Sequence, residues 1–419
     1  MRGTSRGRSR WLAGALSALA LIAAGGSARD AEAQDKVVRI GAIQPMSGSY
    51  AAYAQEGQPV FEHMIAKINA AGGIKSMGGA KIEVLLADDA SQPARTATEA
   101  RRLVTEEKVS LLIGSILSAQ MLALSPVLDE LKVPTLSLWA AGAKSPYMYS
   151  IGFPYDRGYA RTMADFAEWL NKEKGYKLKT VAMVYSNYEA GQQVNRFLTE
   201  RLKAKGFEIV GEVPLDTKAQ DQTSAMVRLR SMKPDFTAGL LTPRDGQLLL
   251  RARQSLNYHD TLFIGGTGGF ADMSLWRDLG ADIATQVLTK SLFAMTAFSA
   301  DTSVPALQGM VKEIADAKLI KGDIGQAAIQ AAQAARVVQA VLEEAGSTDP
   351  EKILAAFKKV NIPAGDPNLY LLKSGGLSFA EDRMLQDGSA VMIQWTEDRR
   401  QEVIFPDRFA TAQPRAPRK

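Results

Sequence analysis

"VVRIGAIQPMSGSYAAYAQEGQPVFEHMIAKINAAGGI", Val37 to Ile74, holds one strand and one helix in succession. "VVRIGAI" is a short apolar run of the kind buried on both faces of a parallel sheet. Val60, Phe61, Met64, Ile65 and Ile68 then recur at helical spacing and would lie on one face. "AAGGI" ends that helix with Gly where a left-handed residue is cheap.

The same alternation continues outward from this unit. "KIEVLLADD", "VSLLIGS" and "VPTLSLW" read as strands, with "PARTATEARRLVTEE" and "SAQMLALSPVLDEL" as helices between them. A second series begins after "YSIGFPYDRG". Its strands are "KTVAMVYS", "FEIVGEV", "DFTAGLL" and "TLFIGG". Its helices are "DRGYARTMADFAEWLNKEKG", "EAGQQVNRFLTERLKAKG", "DQTSAMVRLRSM" and "RDGQLLLRARQSL". Strands separated by helices imply parallel sheets covered on both faces. The chain is therefore predicted to be α/β, with two doubly wound lobes. Further on, "TQVLTKSLFA" reads as a strand, while "VPALQGMVKEIADAK" and "IGQAAIQAAQAARVVQAVLEEAG" read as helices. "DPEKILAAFKKV" is a helix capped by Asp349 with Pro350 at its first position, and "SAVMIQWTEDRRQEVIFP" is a hairpin.

The amino terminus reads as a secretory signal. Arg2, Arg6, Arg8 and Arg10 precede the apolar run Trp11 to Ala24, and small residues stand at Ala31 and Ala33. That run is short of the roughly 20 residues that span a bilayer. There is no cysteine among the 419 residues, hence no disulfide, no thiolate metal site and no lipid attachment through cysteine. Removing residues 1–33 lowers Lys+Arg from 50 to 45 and Asp+Glu from 45 to 43, so +5 becomes +2. A charge that small gives no reason to expect nucleic acid. The remaining 386 residues, at 46% hydrophobic for the whole chain, suit two domains.

The residues give little support for catalysis. The histidines, His63 and His259, fall in a helix and a turn, and there is no nucleophile elbow. "FIGGTGGF", Phe263 to Phe270, lacks the lysine and spacing of a phosphate loop. Its glycines are expected to let the backbone turn tightly. Asp88 and Asp89 are expected to cap the next helix rather than hold a metal. No cofactor is implied.

Ligands of doubly wound sheets bind beyond the carboxyl ends of the strands. Here those ends are "QPMSGSY", "GSILSAQ", "LWAAGAKS", "YSNYEAG", "LLTPRDG" and "GGTGGF". Ser118, with the N–H groups of Ala119 and Gln120, would open a helix whose partial positive charge suits a carboxylate. Ser118 can equally be a helix cap, and both roles are compatible. Tyr50, Tyr53, Trp139, Tyr155 and Tyr188 stand at the same ends as candidate walls, or as ordinary packing.

Over roughly Val37 to Pro406 the chain resembles the periplasmic leucine/isoleucine/valine-binding proteins, the type I solute-binding proteins of ABC importers. "RIGAIQPMSGSYAAYAQEG", "INAAGGI", "DDASQPARTATEARRLV", "VSLLIGSILSAQ", "VPTLSLWAAG", "GQLLLRARQSL" and "FIGGTGG" carry the resemblance by their order and spacing. It implies two Rossmann-like lobes joined by three crossover strands, with ligand bound between them and hinge closure on binding. It also implies a monomer that delivers its solute to an inner-membrane permease and ATPase.

The resemblance assigns roles by position. Ser118, followed by Ala119, matches the serine that holds the ligand carboxylate. Trp139 and Ala141 stand where an Ala and a Thr are common. Tyr188 and Glu189 lie just before Ala190–Gly191, where "YG" is common. Thr242 stands where an aromatic is common. Thr267 occupies the place of the acid that pairs with an amino acid's ammonium, which points toward a carboxylate lacking an α-amino group. Tyr53 and Tyr155 complete the walls.

The expected organisation is a signal over 1–33, a first lobe over 36–153 plus about 287–365, and a second over 154–286 plus about 366–406. A flexible tail follows over 407–419. The rival functions are a ligand sensor of the same fold that partners a receptor, and a cleft enzyme.

Overall fold

The computed structural model describes Met1 and residues 37–48, 50–116, 118–139 and 145–415. The expected signal, Met1 apart, lies outside the described residues, as does Ala141.

A first sheet of five parallel strands has the order β2-β1-β3-β4-β5. These are β1 (Val37–Gln44), β2 (Lys81–Asp88), β3 (Leu111–Gly114), β4 (Thr135–Ser137) and β5 (Met148–Ser150). Helices α1 (Ala51–Ala70), α2 (Pro93–Thr105) and α3 (Ser118–Leu131) connect them. β1 is buried along most of its length because neighbours pair with it on both sides.

The second sheet has seven strands in the order β14-β13-β10-β9-β8-β6-β7. The parallel part is β6 (Thr180–Ser186), β7 (Glu208–Leu215), β8 (Phe236–Gly239), β9 (Leu262–Gly265) and β10 (Leu292–Thr296). The predicted hairpin adds β13 (Val391–Trp395) and β14 (Gln401–Phe405) antiparallel. A separate two-stranded pair is β11 (Asn361–Ile362) with β12 (Leu377–Ser378). The associated helices are α4 (Arg161–Lys174), α5 (Glu189–Ala204), α6 (Thr223–Ser231), α7 (Pro243–Ser255), α8 (Thr267–Phe270), α9 (Leu275–Leu279) and α10 (Ala281–Leu288).

Helices α11 (Pro305–Asp316), α12 (Gln326–Ala345) and α13 (Pro350–Phe357) follow β10. The apolar face of α1 packs on α12. The alanines of α12 let the two backbones approach, so that a Cβ at Gly57 would sit 3.2 Å from Ala327 O. His63 and Lys67 of α1 both reach Glu313 of α11, at 2.7 and 2.6 Å, so His63 is a structural partner. Asp349 caps α13 as expected, accepting from the N–H groups of Glu351 and Lys352.

Four expectations need correction. "TQVLTKSLFA" is helix α10 followed by β10, because Ala284, Val287 and Leu288 are buried at helical spacing. The portion from 287 does not start in the first lobe, since β10 pairs in register with β9 and crosses only after Thr296. The return crossing comes later than 366, since Met384 still bridges to Ser150 and Val391 opens β13. The chain thus passes between the sheets three times. The expected flexible tail is pinned as far as Arg415, which pairs with Glu402 at 2.8 Å and donates its N–H to Gln394. Among the described residues no helix is long and apolar enough to cross a membrane.

Candidate functional site: an interlobe cleft

Both sheets reverse their strand order once, between β1 and β3 in the first and between β6 and β8 in the second. Crevices at such reversals are where doubly wound sheets bind ligands. The segments leaving β1 and β3 carry Tyr50, Tyr53 and Ser118, and those leaving β6 and β8 carry Tyr188, Glu189 and Thr242. Of these six, Tyr50, Tyr53 and Thr242 line the cavity between the lobes, whereas Ser118, Tyr188 and Glu189 do not.

The cleft holds a cavity of about 1370 Å³, with Tyr50, Tyr53, Trp139, Thr242 and Thr267 in its wall. The Tyr53 and Trp139 rings meet edge to face at 5.5 Å, and Tyr50 stacks on Tyr53 at 6.4 Å. Ser118, Tyr155 and Glu189 form a hydrogen-bonded chain. Ser118 Oγ lies 3.0 Å from the Tyr155 hydroxyl, which donates to Glu189 Oε2 at 3.3 Å. Ala119 is exposed at the start of α3.

Tyr155 and Tyr159 come from one π-helical turn, Tyr155–Ala160, at the first crossing between the lobes. Its wide turn is closed by Tyr159 N–H donating to Pro154 O. Tyr159 is in turn 3.2 Å from Thr267 Oγ1. Burial pushes the hydroxyls of Tyr53, Tyr155, Tyr159 and Tyr188 above their ordinary pKa, so they stay neutral donors at any physiological pH.

Thr242 plays a different part from the one expected. Its hydroxyl donates to Asp245 Oδ2 at 3.0 Å and accepts from Asp245 N–H at 3.2 Å, capping α7. Its N–H donates to Ser186 Oγ and its carbonyl accepts Gly246 N–H, each at 2.9 Å, so what it offers the cleft is its methyl. Asp88 and Asp89 do not cap α2 as expected, since its N-cap is Gln92 and no side chain caps it; they tie neighbouring strand ends together, Asp88 taking Ser47 Oγ at 2.7 Å, and Asp89 taking Ser115 Oγ at 2.7 Å and Thr96 Oγ1 at 3.0 Å.

Two cleft carboxylates escaped the sequence reading. Asp272 follows α8 and accepts the Tyr53 hydroxyl at 2.7 Å. Glu56, one turn beyond Tyr53, accepts the N–H groups of Gly325 and Ala328, each at 2.9 Å, at the start of α12. Burial, with Asp272 adding to it, raises the Glu56 carboxyl to about 7. Four cations share the cavity wall: Arg277 pairs with Asp278 at 2.8 Å, Arg244 donates to Thr217 O and Gln220 Oε1, Arg399 lies over the Trp276 ring, and Lys321 stands beside them. Tyr53 and Glu56 share one helix face at i and i+3, a signal the sequence did contain. Asp272 lies only five residues beyond Thr267.

The glycines of "FIGGTGGF" serve close approach. None of Gly265, Gly266, Gly268 and Gly269 has positive φ, contrary to the tight-turn expectation. A Cβ on Gly269 would lie 2.5 Å from Leu241 Cβ, and one on Gly246 only 2.2 Å from Gly269 O. α8 and α7 therefore touch backbone to backbone, which seats Thr267 beside Thr242 at the cleft.

A family model described as periplasmic binding protein matches residues 37–394. The Leu/Ile/Val-binding protein homolog 8 of Brucella suis biovar 1 is 25% identical over 420 residues, covering 97% of this chain and 98% of its own. Among solved structures, the leucine binding protein LivK of Thermotoga maritima aligns with a TM-score of 0.72 at 20% identity, covering 88% of this chain and 99% of its own. A solute binding protein of an ABC transporter from Rhodopseudomonas palustris HaA2, in complex with p-hydroxybenzoic acid, aligns at 0.74 and 20% identity, covering 90% and 98%.

Proposed function

The chain belongs to the periplasmic binding protein family, and from that premise we propose that it is the solute-binding component of an ABC importer, taking a small carboxylate-bearing solute between its lobes for delivery to the permease. The observation that carries this reading is the interlobe cleft at the two strand-order reversals, walled by tyrosines and Trp139.

Ser118 at the start of α3 takes the carboxylate, where helix N–H groups and partial positive charge favour an anion. Trp139, Tyr53 and Tyr50 wall the apolar body. Tyr155, Tyr188, Glu189, Ala119, Ala141 and Thr267 complete the contacts, and Thr242 contributes shape. Glu56 and Asp272 share the wall with Arg244, Arg277, Lys321 and Arg399, so the wall's charge sets no limit on further carboxylates, and monocarboxylates, zwitterionic amino acids included, are the class to try first. An ammonium on the ligand has Glu56 and Asp272 to face, although Thr267 is not an acid.

Closure of the lobes excludes water, and the closed form docks on the permease and its ATPase. The work is binding without turnover. The signal over residues 1–33 is removed, and the mature chain acts as a free periplasmic monomer. A thermal-shift panel of amino acids, aromatic acids and aliphatic acids tests this. A saturable rise with at least one monocarboxylate is expected, because a ligand that binds the folded state raises its melting temperature. No response across the panel would remove the reading.

A further inference from the structure

We propose that Tyr53 and Asp272 form a latch that holds the two lobes together without ligand, and that Glu56 positions it. The inference concerns the cleft's own equilibrium and stands whatever solute the cleft takes.

Tyr53 belongs to α1 on the first sheet, and Asp272 follows α8 on the second, 219 residues away in sequence. Their 2.7 Å bond joins a neutral hydroxyl to a carboxylate across the cleft, far in the chain from the three crossings. Bonds to a charged acceptor are the stronger kind. Asp272 is itself fixed, since its other oxygen accepts Ser274 N–H at 2.8 Å. On the opposite side, the edge of Trp139 or Tyr53 against the other ring at 5.5 Å limits how Tyr53 can swing.

Glu56 sets where Tyr53 stands. Its Oε1 binds the first N–H groups of α12, locking the first turns of α1 to that helix. Gln326, the first residue of α12, accepts Thr296 Oγ1 at 2.9 Å and Ala297 N–H at 3.3 Å. Those two residues stand where the chain leaves β10 for the first lobe. Leu372 N–H, in the segment ahead of the third crossing, donates to Ala297 O. A run of bonded groups thus joins the latch to the second crossing, where the chain leaves β10, so Glu56 ties the position of Tyr53 to that hinge segment.

The test uses the native absence of cysteine. Thr98→Cys on α2 and Lys203→Cys on α5, both exposed, place one fluorophore on each lobe for single-molecule energy transfer in ligand-free protein. A dominant high-transfer population is expected. Tyr53→Phe and Asp272→Asn should each move the closed-to-open ratio about tenfold toward open, the loss of one charged hydrogen bond, and the double variant no further. Glu56→Gln, which retains Tyr53, should shift it in the same direction by less. Circular dichroism matched to the parent and a cooperative melting transition establish that each variant is folded. An unchanged distribution in Tyr53→Phe overturns the latch, as does additive behaviour in the double variant. A shift in Tyr53→Phe with none in Glu56→Gln overturns the positioning role.

Discussion

Replacing Gly246 by alanine adds one methyl where α7 meets α8. That methyl would lie 2.2 Å from Gly269 O, 2.5 Å from Gly269 Cα and 2.7 Å from Gly269 C. All three are backbone atoms, so no side chain can rotate aside, and α8 must retreat by roughly 1 Å to reach ordinary contact. Overpacking of this kind costs about 1–3 kcal/mol, and the rigid neighbours put it in the upper half. Alanine in a helix interior returns about 0.5–1 kcal/mol over glycine, leaving a net loss of about 1–2 kcal/mol. The retreat of α8 carries Thr267 outward, so affinity should fall alongside stability. Gly309 on α11 provides the control, because a Cβ there meets nothing within 4 Å and its φ is ordinary. Gly309→Ala should therefore stabilise by about 0.5–1 kcal/mol. Urea unfolding followed by tryptophan fluorescence reads both as midpoint shifts at constant slope. A Gly246→Ala variant as stable as the parent would refute the close-approach account of the glycine-rich segment.

Ser118→Ala should weaken binding of a carboxylate ligand by about 1–2 kcal/mol, read by calorimetry, and unchanged affinity would remove Ser118 from the site. Glu56, raised from 4.5 to about 7, contributes stability in full below the lower value and loses it as pH rises through the upper. Glu56→Gln should flatten the fall in unfolding free energy across that window by up to about 3 kcal/mol, read from urea titrations at each pH, while parallel pH curves would contradict the shift. Asp349→Ala should cost about 1 kcal/mol by removing two capping bonds from α13, measurable in the same unfolding series.

Much of the architecture was legible because parallel strands and amphipathic helices leave opposite signatures. β1 and the buried face of α1 follow directly from the Val37–Ile74 stretch. Asp349 and Pro350 announced a helix start that the structure places at the same residue. What escaped depends on contacts distant in sequence. No local pattern says that Leu292–Thr296 pairs with Leu262–Gly265, or that the third crossing follows Met384. Thr242 read as a ligand contact because of its position in the resemblance; only the fold shows its hydroxyl turned to Asp245. Asp272 was overlooked because the expected acid was sought at residue 267, whereas the loop after α8 brings its carboxylate to Tyr53 from five residues on. Glu56 was not singled out, because nothing local in the sequence shows α12 arriving beside it.

The most direct test of a carboxylate-binding cleft compares an acid with its own amide. The strongest monocarboxylate from the thermal-shift panel and the matching carboxamide are titrated into the protein by calorimetry, with Ser118→Ala in parallel. The acid should bind one to one and at least about tenfold more tightly than the amide, and Ser118→Ala should remove much of that difference. Equal affinity of acid and amide, or a preference untouched by Ser118→Ala, would contradict the anchoring of a carboxylate at α3.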